Sequence, residues 1–97
     1  MNIKELNNII IWECEHNEIW LNDISITSLE GVKFPEKVKR INLGDNEITS
    51  LEGVKFPKSL ILLILDNNQI TSLENVKFPE SLEQLDLDNN KITSLEN

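Results

Sequence analysis

The chain has 97 residues and a formal net charge of −8, with 39% hydrophobic and 27% charged residues. That length allows one domain, and that composition suits a folded protein and not a disordered one. The acidic balance argues against nucleic acid, whose phosphates need clustered Lys and Arg, and against anionic membrane surfaces. Its longest apolar run, Leu60 to Leu65, falls far short of the ~20 residues that span a bilayer.

Met1 to Glu18 comes first and is expected to form a cap. Its opening residues carry charges of both signs and lack the layout of a secretory signal. Within it, Ile10 and Trp12 lie 22 residues before Val32 and Phe34, so Trp12 is placed to close the end of a stacked aromatic column. Alternatively, Ile9 to Cys14 pairs antiparallel with the following strand. The lone cysteine, Cys14, excludes an internal disulfide, which points to a reducing, cytoplasmic setting. Cys14 and His16 have no second Cys or His to complete a zinc site, so no metal is expected there.

From Ile19 onward the chain repeats itself in steps of 22. ITSLEGVKFP at Ile26 to Pro35 recurs unchanged at Ile48 to Pro57, and returns at Ile70 to Pro79 with Asn75 in place of glycine. A fourth copy begins at Ile92. A fixed period of this size marks a solenoid of stacked coils, none of which can bury its apolar side alone. Each unit opens on a short alternating segment, as around Leu85 and Leu87, which reads as a half-buried strand. Strands at a constant step run in one direction, so the sheet should be parallel.

Asparagine follows each strand at Asn46, Asn68 and Asn90, where its amide can pair backbone groups that a turn would leave buried. The first coil is degenerate, with Ile24 in that column. Ile-Thr-Ser-Leu comes next, too short for a long helix and suited to a 3₁₀ or irregular turn. Val-Lys-Phe-Pro then returns the chain; Pro35, Pro57 and Pro79 cannot sit in a central ladder. The expected core columns are Ile19, Ile41, Leu63, Leu85; Leu21, Leu43, Leu65, Leu87; Ile26, Ile48, Ile70, Ile92; Leu29, Leu51, Leu73, Leu95. Val38, Leu60 and Leu82 lead into the strands, and Phe34, Phe56 and Phe78 form an aromatic spine.

The unit from Leu82, LxxLxLxxNxI, resembles the leucine-rich repeat family, nearest its 22-residue class of internalins and phosphatase-regulatory proteins. The resemblance covers Ile19 to Leu95. Phe-Pro-Glu-Ser-Leu at Phe78 to Leu82 departs from that class and is similar to repeats of amoebae and their large viruses. The resemblance implies a leucine-rich repeat solenoid of the α/β horseshoe class, whose parallel sheet lines a concave, protein-binding side. Residues 1–18 would be its cap and 19–97 its coils.

Positions that vary between the strand leucines are the candidates for a partner-binding site. They are Trp20, Arg40, Asn42, Leu62, Ile64, Gln84, Asp86, Asp66 and Asp88. Trp20, Leu62 and Ile64 are apolar where solvent is expected and bordered by acids, the anatomy of a recognition patch. A partly basic protein is the expected partner. Asp66-Asn67-Asn68 and Asp88-Asn89-Asn90 lack calcium-loop spacing. Glu30, Glu52, Glu74 with Lys33, Lys55, Lys77 form charge ladders on a solvated outer wall. No arrangement suggests catalysis and no cofactor is expected. The chain stops six residues into its fourth unit without a polar cap, so the competing expectation is a structural unit that associates between copies through that end or edge, or a fragment of a longer array.

Overall fold

The computed structural model describes residues 3–13 and 17–93, with the side chains of residues 3 and 11–13 outside the description. One helix, α1 (Ile3–Glu13), precedes four three-residue strands: β1 (Glu18–Trp20), β2 (Arg40–Asn42), β3 (Leu62–Ile64) and β4 (Gln84–Asp86). They form one parallel sheet in chain order, and each strand pairs with the next at an offset of 22 residues, as Ile19 with Ile41 with Leu63 with Leu85. Each strand therefore opens a coil, here numbered 1 to 4.

The alternating segments form strands because their central residues, Ile19, Ile41 and Leu63, are buried while the flanking ones face out. Those three, with Leu21, Leu43, Leu65, Ile26, Ile48, Ile70, Leu29, Leu51, Leu73, Val38 and Leu60, make one continuous core. Coil 4 is different. Leu85 is 38% exposed where its column mates are 1% or less, and Leu82, Leu87 and Ile92 are only half-buried. Leu95 lies outside the described residues.

The asparagine column bonds as expected. Asn68 Nδ2 donates to Leu43 O and Leu65 O, each at 3.0 Å, and Asn68 Oδ1 accepts from Ile48 N–H at 3.0 Å. Asn46 and Asn90 repeat the pattern one coil to either side, so the carbonyls of Leu43 and Leu65 are each shared by two asparagines. Among the described residues no buried side-chain nitrogen or oxygen lacks a partner.

The opposite wall is irregular and extended, with no helix among the described residues. Glu47, Gln69 and Lys91 N–H groups donate to Ile26, Ile48 and Ile70 carbonyls, which ties successive coils together there as well. The repeated letters of this wall have local tasks. Ser28, Ser50 and Ser72 hydroxyls accept from the N–H two residues on, at 3.0, 3.1 and 3.0 Å. The turn that follows closes Val54 N–H onto Leu51 O, with Gly53 at φ 76°. In coil 3 Asn75 adopts φ 62° at the same position, so asparagine replaces glycine where the backbone is left-handed. Phe34, Phe56 and Phe78 stack with centroids 6.2 and 5.9 Å apart, half-buried beside this return. Ser81 Oγ lies 2.6 Å from Leu60 O and 2.8 Å from Lys58 O and donates to this pair, which gives the Pro-x-Ser-Leu return a bond to the coil before it.

The cap corrects one of the two expectations for it. Ile9 to Glu13 does not form an antiparallel strand, since 3–13 is helical, and Cys14 lies outside the described residues. Leu6 and Ile10 lie four residues apart on one helix face and are buried, so the helix covers the coil 1 end of the core with two large side chains. Asn7 fastens it: Nδ2 donates to Gly31 O at 3.3 Å and Oδ1 accepts from Lys33 N–H at 3.0 Å. Whether Trp12 closes the phenylalanine stack falls on a side chain outside the described residues. No described helix is long and apolar enough to cross a membrane.

Candidate functional site

The side of the sheet away from the core carries the expected candidates. Strand pleating sends residues 18 and 20, 40 and 42, 62 and 64, 84 and 86 to this face, and the 22-residue register lines them up across the strands. Trp20 is 53% exposed, a large apolar ring on the solvent side. Glu18 organises this corner: one carboxylate oxygen accepts from Trp20 Nε1 at 3.2 Å, and the other lies 3.4 Å from an Arg40 guanidinium nitrogen. Both charged side chains remain substantially exposed, so the pair fixes orientation more than it adds stability.

Leu62 and Ile64 occupy the middle of the face and are half-buried. Gln84 is exposed beyond Leu62. Two candidates are partly committed to their own backbone. Asn42 Oδ1 accepts from Gly44 N–H at 2.9 Å, and Asp86 Oδ1 accepts from Asp88 N–H at 3.0 Å, so each stabilises the chain's departure from its strand.

The acids gather where the chain leaves β2, β3 and β4. Asp66 reaches back over coil 2, where a Cβ on Gly44 would overlap its Oδ1; Gly44 is thus the space that this carboxylate occupies. Its Oδ2 accepts from Asn67 Nδ2 at 3.1 Å. Partial burial raises the Asp66 carboxyl above its ordinary range, and the charges of Asp86, Asp45 and Asp88 raise it further against a lowering backbone hydrogen bond. Among the described residues no group of three or more His, Cys, Asp or Glu could hold a metal ion. Cys14 and His16 lie outside the described residues.

A pH dependence follows from Asp66. With its folded pKa above the unfolded one, the native state binds more protons between the two values, so this residue's contribution to stability improves as pH falls through that window. Asp66→Asn should therefore raise Tm at pH 7 by about 1–3 °C, with the gain shrinking towards pH 4. Thermal denaturation of both proteins across that range checks it; an Asn variant less stable at pH 7 would contradict the electrostatic account.

Sequence reasoning overlooked the column Asp23, Asp45, Asn67, Asn89 as a backbone device. All four have φ between 54° and 58°, a left-handed conformation that Asp and Asn tolerate. The signal was available, because only those two residue types occupy the column. It also overlooked the dependence of Asp66 on Gly44, which joins residues 22 apart through a side-chain direction. Comparison of the chain with known protein families, curated proteins and solved structures returns no match, so the site is read from its own geometry.

Proposed function

We propose that this chain is a leucine-rich repeat solenoid that works as a non-catalytic binding module, holding a protein partner against the solvent side of its sheet in the cytoplasm. One observation carries the reading: Trp20, Leu62 and Ile64 are held outward on the sheet face, whereas the polar letters that recur from coil to coil elsewhere are spent on the scaffold itself. Asn46, Asn68 and Asn90 serve the ladder, and Ser28, Ser50 and Ser72 serve their turns. What remains free to differ between coils is the outward face, rimmed by Arg40, Gln84, Asp66, Asp86 and Asp88.

Trp20→Ala and Ile64→Glu test it, because neither side chain belongs to the core cluster. With a partner captured by the wild-type protein, each variant should lose about tenfold or more in affinity while Tm stays within a few degrees, about 3 °C. Unchanged affinity for that partner in both variants would reject the face.

The exposure of Leu85, unlike its three column mates, favours a second reading, self-association through the β4 side. The N–H groups of Leu21, Leu43 and Leu65 donate to the coil beyond, and Leu87 occupies the same place on the open side. Sedimentation over a range of concentrations separates the two; a concentration-independent monomer removes the second.

A further inference from the structure

We propose that the occupant of the sheet face is an extended basic segment of a polypeptide, its cationic side chains along the ends of β2–β4 beside Asp45, Asp66, Asp86 and Asp88 and its apolar side chains over Leu62 and Ile64. This rests on the protein-binding reading and adds the chemistry and placement of the partner.

The face is unequally charged from end to end. On the β1 side, Glu18 is engaged by both Trp20 and Arg40, and the Arg40 guanidinium offsets its charge. At the strand ends and just past them, the three columns Trp20, Asn42, Ile64, Asp86; Asn22, Gly44, Asp66, Asp88; and Asp23, Asp45, Asn67, Asn89 contain no basic residue. None of their four carboxylates beyond coil 1 forms an ion pair among the described residues, since the one such pair is Arg40 with Glu18. Lys33, Lys55 and Lys77, which could have balanced them, are exposed on the return path of each coil, between the outer turn and proline.

Four carboxylates beside a half-buried apolar strip complement a segment in which cations and apolar residues alternate. Four strands span about 14 Å, which four or five extended residues cross, and alternation sends their side chains to opposite sides. Burial, and after it the charges of Asp86, Asp45 and Asp88, raise the Asp66 pKa, and a cation there would relieve the repulsion among these acids. Binding should consequently weaken as the pH falls and Asp66 takes up its proton.

Fluorescence anisotropy with three labelled nonapeptides tests the proposal: alternating Arg and Leu, alternating Arg and Ser, and alternating Glu and Leu. The Arg–Leu peptide should bind at least about tenfold more tightly than the other two. The triple variant D66N/D86N/D88N, in which each Asn keeps an acceptor oxygen, should lose about tenfold of that affinity; D66N alone should lose part of it. Removing the same number of charges from the outer wall with E30Q/E52Q/E74Q should change affinity by less than about twofold if the attraction is local. An equal loss in the outer-wall variant would overturn the proposal in favour of attraction to net charge alone. Unchanged affinity in the Asn variant, with a loss in Ile64→Ser, would overturn the basic partner and leave the binding face standing. No loss in either would overturn both.

Discussion

Asn68→Ala should cost about 3–4 kcal/mol, because it strips a buried N–H of its only partner among the described residues and halves the bonding of two buried carbonyls. Ile48 N–H bonds to Asn68 Oδ1, and Leu43 O and Leu65 O each accept from Asn68 and from one neighbouring asparagine. Asn68 is 2% exposed, so water cannot replace the lost amide without opening the core. For a domain of this size, whose total stability is about 5–15 kcal/mol, that loss is a large share and lowers Tm by about 15–20 °C. Asn68→Asp tests the donor half separately: it keeps an acceptor for Ile48 N–H but aims a carboxylate at two carbonyls, so it should be poorest at neutral pH and recover on acidification. Asn90→Ala should cost distinctly less, since Asn90 is only half-buried. Thermal unfolding followed by circular dichroism measures all three. Equal costs at residues 68 and 90, or a cost under about 1 kcal/mol at residue 68, would remove the ladder as a main support.

The ladder was legible in the sequence because repetition converts spacing into geometry. When Asn46, Asn68 and Asn90 recur at one step together with four apolar columns, the only way to bury all of them is to stack the steps in register. The parallel sheet, the buried columns and the outward positions of Trp20, Leu62 and Ile64 follow from that single period. Where the period fails, one of the two readings of the cap, the antiparallel strand, fails with it. Residues 3–13 contain the run Ile9, Ile10, Ile11, Trp12, whose β-branched and aromatic residues suit a strand. Leu6 and Ile10, four apart, instead bury one helical face against coil 1, and Asn7 bonds that helix down to residues 31 and 33. Packing decided the element against local propensity. Asp66 was legible as an outward acid, but its place above Gly44 depends on a side-chain direction that spacing does not encode.

Leu63→Ala and Leu85→Ala remove the same atoms from the same column and should not cost the same. Leu63 is fully buried between coils 2 and 4, so its truncation leaves a cavity walled on every side and should cost about 3–4 kcal/mol. Leu85 has coil 3 on one side and is 38% exposed, so truncation opens onto solvent and should cost about 1 kcal/mol. The contrast also reads the state of the β4 side in solution. If a second copy covers it, Leu85 becomes an interior residue, its truncation approaches the cost at Leu63, and that cost grows with protein concentration because the variant forfeits the association that stabilises the wild type. If nothing covers it, the cost at Leu85 stays small and independent of concentration. Denaturant unfolding of both variants at two protein concentrations decides between these outcomes, and a small, concentration-independent cost at Leu85 removes self-association through the β4 side.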